Sequence, residues 1–158
     1  MNMTVEIRYA QEKDLLRMSK LWLDLAEMHE DLMEDYDLTE NAQDEWINLM
    51  EEAMANNHVI SFLAEEEGKL LGFISVSLRK RAPIFRLKNV GAIMDVVVEE
   101  GSRGKGVGTS LVLRTESWIR ERGFELAVLT VAPENTGAMK FWDRLGYNTY
   151  LHKKVKKL

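Results

Sequence analysis

Between Val96 and Thr109 the chain reads Val-Val-Val-Glu-Glu-Gly-Ser-Arg-Gly-Lys-Gly-Val-Gly-Thr. Four glycines and two cations thus fall within the eight residues Gly101–Gly108. Glycine lets a backbone come close to a ligand and point successive N–H groups in one direction. A helix that starts at such a turn adds the partial positive charge of its unpaired first N–H groups. Arg103 and Lys105 add full charges. The chemistry that fits is the holding of a phosphate or diphosphate. A P-loop would need Ser or Thr directly after Gly-Lys, and here Lys105 is followed by Gly106. A dinucleotide fingerprint would need its third glycine at Thr109 or Leu111, so it fails as well. A flexible glycine linker is the plain alternative, but strand, turn and helix are each signalled on their own.

Groups able to move protons are few. Asp95 is the only charge inside the apolar run Val90–Val98. A carboxylate among valines is a candidate for a raised pKa and for work as a base, directly or through water. The plainer alternative is a surface-facing strand residue or a structural hydrogen-bond acceptor. Glu99, at the end of the run, is the second candidate. The chain has no cysteine, which removes thiol nucleophiles, disulfides and thiolate metal sites. His29, His58 and His152 do not pair at ligand spacing, so no metal site is expected.

The elements that must position these residues are legible in the periodicity. Thr4–Tyr9 alternates as a strand. Leu15, Met18, Trp22, Leu25 and Leu32 recur at helical spacing, as do Trp46, Leu49, Met50, Ala53 and Met54 in a second helix. Val59–Ala64 and Leu70–Leu78 read as a hairpin around the charged turn Glu65–Lys69. Arg79–Asn89 reads as a loop or a frayed strand extension, and Val90–Val98 as a buried strand. A helix after the glycine turn carries Leu111, Val112, Thr115, Trp118 and Ile119 and closes at Gly123. Leu126–Val131 is the next strand. Asn135 is placed to cap a helix with Ala138, Phe141 and Leu145, which Gly146 ends. Tyr147–Val155 is read as the last strand, an edge strand protected by lysines. The order is β-α-α-β-β-β-α-β-α-β over a single domain, residues 1–158.

Arg103-x-x-Gly106-x-Gly108 behind a valine-rich strand resembles the acyl-coenzyme A signature of the GNAT superfamily of N-acetyltransferases. The block from Asn135 through Ala138, Phe141, Trp142 and Gly146 to Tyr147 is similar to that family's closing motif, at the expected separation. The element order also resembles the family over nearly the whole chain. The resemblance implies an α/β (α+β) fold with a central mixed, mostly antiparallel sheet flanked by helices. It implies acetyl-coenzyme A as cosubstrate, with Val96, Val97, Val98, Arg103, Gly104, Lys105, Gly106, Val107, Gly108 and Thr109 along the pantetheine arm and diphosphate. Asn135, Ala138, Phe141 and Trp142 complete that set. It implies direct attack of a neutral amine in a ternary complex, with an N–H near Val96–Val98 polarising the thioester carbonyl. The family's usual acid for the departing thiolate is a tyrosine where this chain has Trp142, whose indole N–H is no acid at neutral pH. Tyr147 and Tyr150 are nearby substitutes, with packing in the last strand as their plainer role. Departure of the thiolate unprotonated, or its protonation by water, is the alternative. A non-catalytic sensor that binds acyl-coenzyme A is the rival reading that Trp142 suggests.

Charge bounds the partners. Leu21–Gly68 holds 15 Asp or Glu and no Lys or Arg, whereas Lys69–Leu158 holds 17 Lys or Arg against 8 Asp or Glu. The acidic crowd from Glu27 to Asp37 would attract a cationic amine such as a polyamine, an aminoglycoside or a lysine side chain; a solvated helix face is the alternative. A nucleic-acid partner is not expected, because the net charge is −5 and no aromatic-basic stripe is present. No membrane partner is expected, because no apolar run is long enough to span. Met1–Tyr9 lacks a leader's apolar core, and a cytoplasmic location is the expectation. A homodimer is left open.

Overall fold

The computed structural model of the chain describes residues 4–158; Met1–Met3, part of the segment read above for a leader, lie outside the described residues. Nine elements follow in order: β1 (Glu6–Tyr9), α1 (Leu15–Leu32), α2 (Ala42–Ala55), β2 (Ile60–Glu66), β3 (Lys69–Lys80), β4 (Asn89–Val98), α3 (Val107–Glu121), β5 (Leu126–Val128) and α4 (Thr136–Arg144). The strands form one sheet in the order β1-β2-β3-β4-β5. Every pair is antiparallel except β4 and β5, which run parallel because α3 carries the chain back between them. The mixed, mostly antiparallel sheet is therefore as expected.

Strand residues alternate between two faces, and the two faces bury different helices. Phe62, Ile74, Val76 and Ile93 pack with Leu111, Val112, Trp118 and Trp142 of α3 and α4. Leu63, Phe73 and Val97 pack with Leu15, Met18, Trp46 and Met50 of α1 and α2. Buried Asp14 ties β1 to α1: its carboxylate accepts from the Gln11 N–H at 2.8 Å, from Arg8 at 2.9 Å and from Arg17 at 2.7 Å. A buried carboxylate held by two guanidinium groups is a satisfied structural ion, not a spare acid.

Two sequence expectations fail at the same end of the sheet. β5 covers only Leu126–Val128 of the expected Leu126–Val131. Its ladder with β4 ends at Ala92, just before β4 departs from regular pairing: Val76 faces Ile93, but Ser75 faces Asp95, which leaves Met94 as an extra residue. Such a bulge bends its strand, and the neighbour on the other side no longer follows. The expected last strand, Tyr147–Val155, does not form, and every residue from Asn148 to Leu158 is exposed. Tyr147 donates its hydroxyl to Glu116 of α3 at 2.9 Å and its N–H to the Trp142 carbonyl at 3.1 Å, which steers the chain off the β5 edge. The observed order is thus β-α-α-β-β-β-α-β-α.

Candidate functional site

β5 lies beside β4 only from Val90 to Ala92. Among the described residues no strand pairs with that edge of β4 from Ile93 to Val98, and Glu99 and Glu100 then lead into the glycine turn. The turn itself is a donor surface. Among the described residues, no hydrogen bond within the chain uses the N–H groups of Gly104, Lys105, Gly106, Val107, Gly108 or Thr109. The last three begin α3, so the helix adds its dipole to the same place. Gly106 caps α3 at φ +84°, a left-handed conformation that a side chain would strain. At Gly108 a β-carbon would sit 3.4 Å from the Phe141 ring and 3.5 Å from Val98, so α4 closes directly over the start of α3.

The other proposed donor-side residues are brought together by packing as well as by sequence. Val96 and Val98 point to the α3 face and Val97 to the α1 face, which leaves their backbone, not their side chains, along the open edge. Val107 is buried in the core while its N–H stays in the turn. Arg103 donates from Nε to the Val98 carbonyl at 3.1 Å, so it folds back over the strand end. Lys105 and Gly104 are exposed, and Thr109 is half-buried. Asn135 accepts the Ala138 N–H at 3.1 Å through its side chain, the cap that its position suggested. Trp142 is buried between Phe141 and Tyr147, each with its ring centre 5.0 Å away. A cavity of about 670 Å3 opens beside the turn, lined by Leu21 and Asp24 of α1 with Val97, Val98, Gly101 and Arg103.

The bulge decides where Asp95 stands. Regular pairing would set Met94 opposite Ser75 and keep Asp95 on the Ile93 face, toward α3. The extra residue rotates Asp95 to the Ser75 face, toward α1 and α2. There Ser75 itself is buried, with its hydroxyl 2.7 Å from that of Ser61. Burial pushes the Asp95 carboxyl up to about 6. The loop between α1 and α2 meets it from the other side: burial, and then the charge of Asp95, raise the Tyr36 hydroxyl above its ordinary value. His29, at the end of α1, lies edge-on to Tyr36 at 5.5 Å, and burial lowers its pKa.

Glu99 and Tyr147 are held elsewhere. Lys69 at 3.1 Å and the Ser102 hydroxyl at 3.0 Å hold the Glu99 carboxyl below its ordinary value. That is the opposite of what a base near neutral pH needs. The Tyr147 hydroxyl is pushed up by burial and by its bond to Glu116, which makes it a poorer acid. His29 and Tyr36 were not singled out from the sequence as site residues. Their only signal there was that Tyr36 opens the break between two helices, and no spacing links it to Asp95. Among the described residues no group of three His, Asp or Glu stands together as metal ligands would.

Residues 25–147 match the model of the acetyltransferase (GNAT) family. The chain is 33% identical over 86 residues to an uncharacterised N-acetyltransferase of Methanocaldococcus jannaschii, a match covering 54% of this chain and 38% of that protein. The curated relative is therefore more than twice as long as the stretch it shares. Among solved structures, an aminoglycoside N-acetyltransferase in complex with CoA superposes with a TM-score of 0.77 at 20% identity, over 100% of this chain and 97% of that one. A Clostridium acetobutylicum protein, described as a predicted acetyltransferase with acetyl-CoA, superposes with a TM-score of 0.74 at 19% identity, over 96% of each chain. At these identities the two structures speak to the fold alone.

Proposed function

The chain belongs to the GNAT acetyltransferase family, and from that membership we propose that it moves an acetyl group from acetyl-CoA to a cationic primary amine, by direct attack in a ternary complex. One observation carries the reading: the open edge of β4 ends at Val98, and after a single 3-10 turn at Glu100–Ser102 the chain presents the row of unpartnered N–H groups from Gly104 to Thr109. An extended arm fits the edge and a diphosphate fits the turn. The two solved relatives above, one with CoA and one with acetyl-CoA, support this choice of ligand.

When bound, the cosubstrate supplies an acetyl thioester. The N–H groups of Val96 and Val98, which face the open edge, would donate to its carbonyl oxygen, where negative charge would develop as the amine nitrogen attacks. The C–S bond breaks and the electron pair leaves with sulfur. Asp95 is the group for the proton that the attacking nitrogen must lose, directly or through one water. Its pKa of about 6 leaves it ionised at neutral pH, yet closer to the working range than an ordinary carboxyl. Tyr36 borders it from the α1–α2 loop, and His29, near the end of α1, lies edge-on to Tyr36. Glu27, Glu30 and Asp31 at the end of α1, with Glu34, Asp35 and Asp37 of the loop, crowd the same place and would draw a cation toward it. No tyrosine is assigned as acid for the thiolate: Trp142 occupies the family's position and is buried, and Tyr147 is tied to Glu116.

A panel of polyamines, aminoglycosides, lysine peptides and neutral aromatic amines, incubated with acetyl-CoA and read by free thiol release, tests the reading. Cationic amines should be turned over best, with an apparent KM that rises with salt as the acidic approach is screened. Tight CoA binding without thiol release from any amine would leave a sensor. Best turnover of neutral amines, indifferent to salt, would remove the cationic acceptor.

A further inference from the structure

We propose that Ser75 is a positioning residue for Asp95: its hydroxyl, oriented by Ser61, donates toward the carboxylate directly or through one water, a role that rests on Asp95 taking the proton of the attacking amine. Strand register brings the three residues together. Ser61 of β2 faces Ser75 of β3, and Ser75 faces Asp95 of β4. Residues directly opposite each other in an antiparallel pair share a face, with β-carbons about 5 Å apart. The three therefore form one row across the sheet, on the side covered by α1 and α2. The next row on that face is Leu63, Phe73 and Val97, all buried and apolar. Without the extra residue at Met94 the row would end at Ser75, because Asp95 would face α3.

Ser61 is 1% exposed and Ser75 0%. Buried hydroxyls cost free energy unless they are hydrogen-bonded. Their oxygens stand 2.7 Å apart, so the two hydroxyls bring two protons and use one between themselves. Among the described residues no carbonyl, carboxylate or other side chain accepts the second proton. Ser61 is a strand further from Asp95, so the order that uses both protons is Ser61 to Ser75 and Ser75 onward to the carboxylate. Donation to a carboxylate favours its charged form, which works against the burial that raises Asp95. From the opposite side Tyr36 of the α1–α2 loop is the titratable group that reaches Asp95, with His29 of α1 behind it. Burial raises the first and lowers the second, so both are neutral above pH 7. No cation of α1, α2 or β3 pairs with the carboxylate among the described residues.

The test is the titration of the Asp95 carboxyl carbon, followed by NMR on the full-length chain. Ser75→Ala should raise its midpoint by about one pH unit from the wild-type value of about 6. Turnover relative to wild type should then fall about five-fold at pH 6 and hardly at all at pH 8.5. Taking the ratio cancels the amine's own titration, and CoA affinity should not change. Ser61→Ala removes the other half of the same buried pair but leaves Ser75 its proton, so its midpoint should stay at the wild-type value. Ser75→Cys, nearly the same size but a weak donor, serves where Ser75→Ala does not fold, and its midpoint should also rise. A wild-type midpoint in the Ser75 variants overturns the proposal. An equal rise in Ser61→Ala overturns it too, because any loss from the pair would then suffice. Failure of Asp95 as the base is a separate result: Asp95→Asn would keep its turnover, while the midpoints would still report on the hydroxyl.

Discussion

The two halves of the site are made of different material. The turn from Gly104 to Thr109 offers backbone N–H groups, whose direction follows from local conformation and the start of α3. The proposed acceptor side would act through Asp95, Tyr36 and His29, side chains from a strand, a loop and a helix that meet only when the chain is folded. A backbone site tolerates nearly any side chain but not a wrong φ. A side-chain site tolerates backbone change but depends on three separate placements. Trp142, at the position where the resemblance implies a tyrosine, is buried and packs against Phe141 and Tyr147, so it belongs to the core and not to the backbone half of the proposed site.

The turn is where a single substitution should do most. Gly106→Val forces a β-branched residue to φ +84°, and the first N–H groups of α3 lose their common direction. CoA binding by calorimetry should vanish while circular dichroism shows the fold retained. Wild-type affinity in that variant would break the comparison outright.

Next in size is Asp95→Asn. Loss of a general base costs on the order of 100- to 10,000-fold in rate, so turnover at neutral pH should fall within that range with CoA affinity unchanged. Raising the pH should recover part of it, as more free amine forms unaided. In the wild type, turnover should drop as pH falls through about 6, where Asp95 takes up its proton. If Asp95→Asn keeps wild-type turnover and Tyr147→Phe loses it, the proton work belongs to Tyr147.

The same carboxyl sharpens the comparison through stability. Its folded pKa, about 6, lies above the unfolded value of about 3.9. A carboxyl raised in this way favours the fold fully at low pH, and that contribution is lost as pH rises from the unfolded value through the folded one. Asp95→Asn should therefore gain thermal stability over the wild type between pH 4 and 7, with no gain at pH 3. Equal melting temperatures at every pH would mean that Asp95 is solvated and poorly suited as a base. The glycine turn, whose proposed donors are backbone N–H groups that do not titrate, has no counterpart to this trade of stability for chemistry.

The smallest effect is expected at Tyr147→Phe. Its hydroxyl bond to half-buried Glu116 is worth about 1 kcal/mol, so the melting temperature should fall by a few degrees, with turnover close to wild type. A large loss of turnover without a loss of stability would return Tyr147 to the proton chemistry.

The glycine turn, the flanking strand and helix, the Asn135 cap and the two amphipathic helices were all legible in the chain itself. Each depends on interactions within a few residues: a φ that only glycine takes easily, an N-cap bond, an apolar stripe at helical spacing. What the folded structure alone decided begins at Met94. A one-residue slip inside the run Gly91–Val98 leaves no mark on composition or alternation, because nearly every neighbour is apolar on both faces. It exists only as a register between β3 and β4. That register turns Asp95 toward α1 and α2 and coincides with the departure of β5 at Ala92. The segment after Gly146 shows the same limit from the other side: its residues read as a strand, but a strand needs an edge in reach, and Tyr147 is drawn instead to Glu116, far away in sequence. Local chemistry is written in neighbouring residues; registers and strand partners are set by contacts between residues far apart in the chain, which no short pattern records.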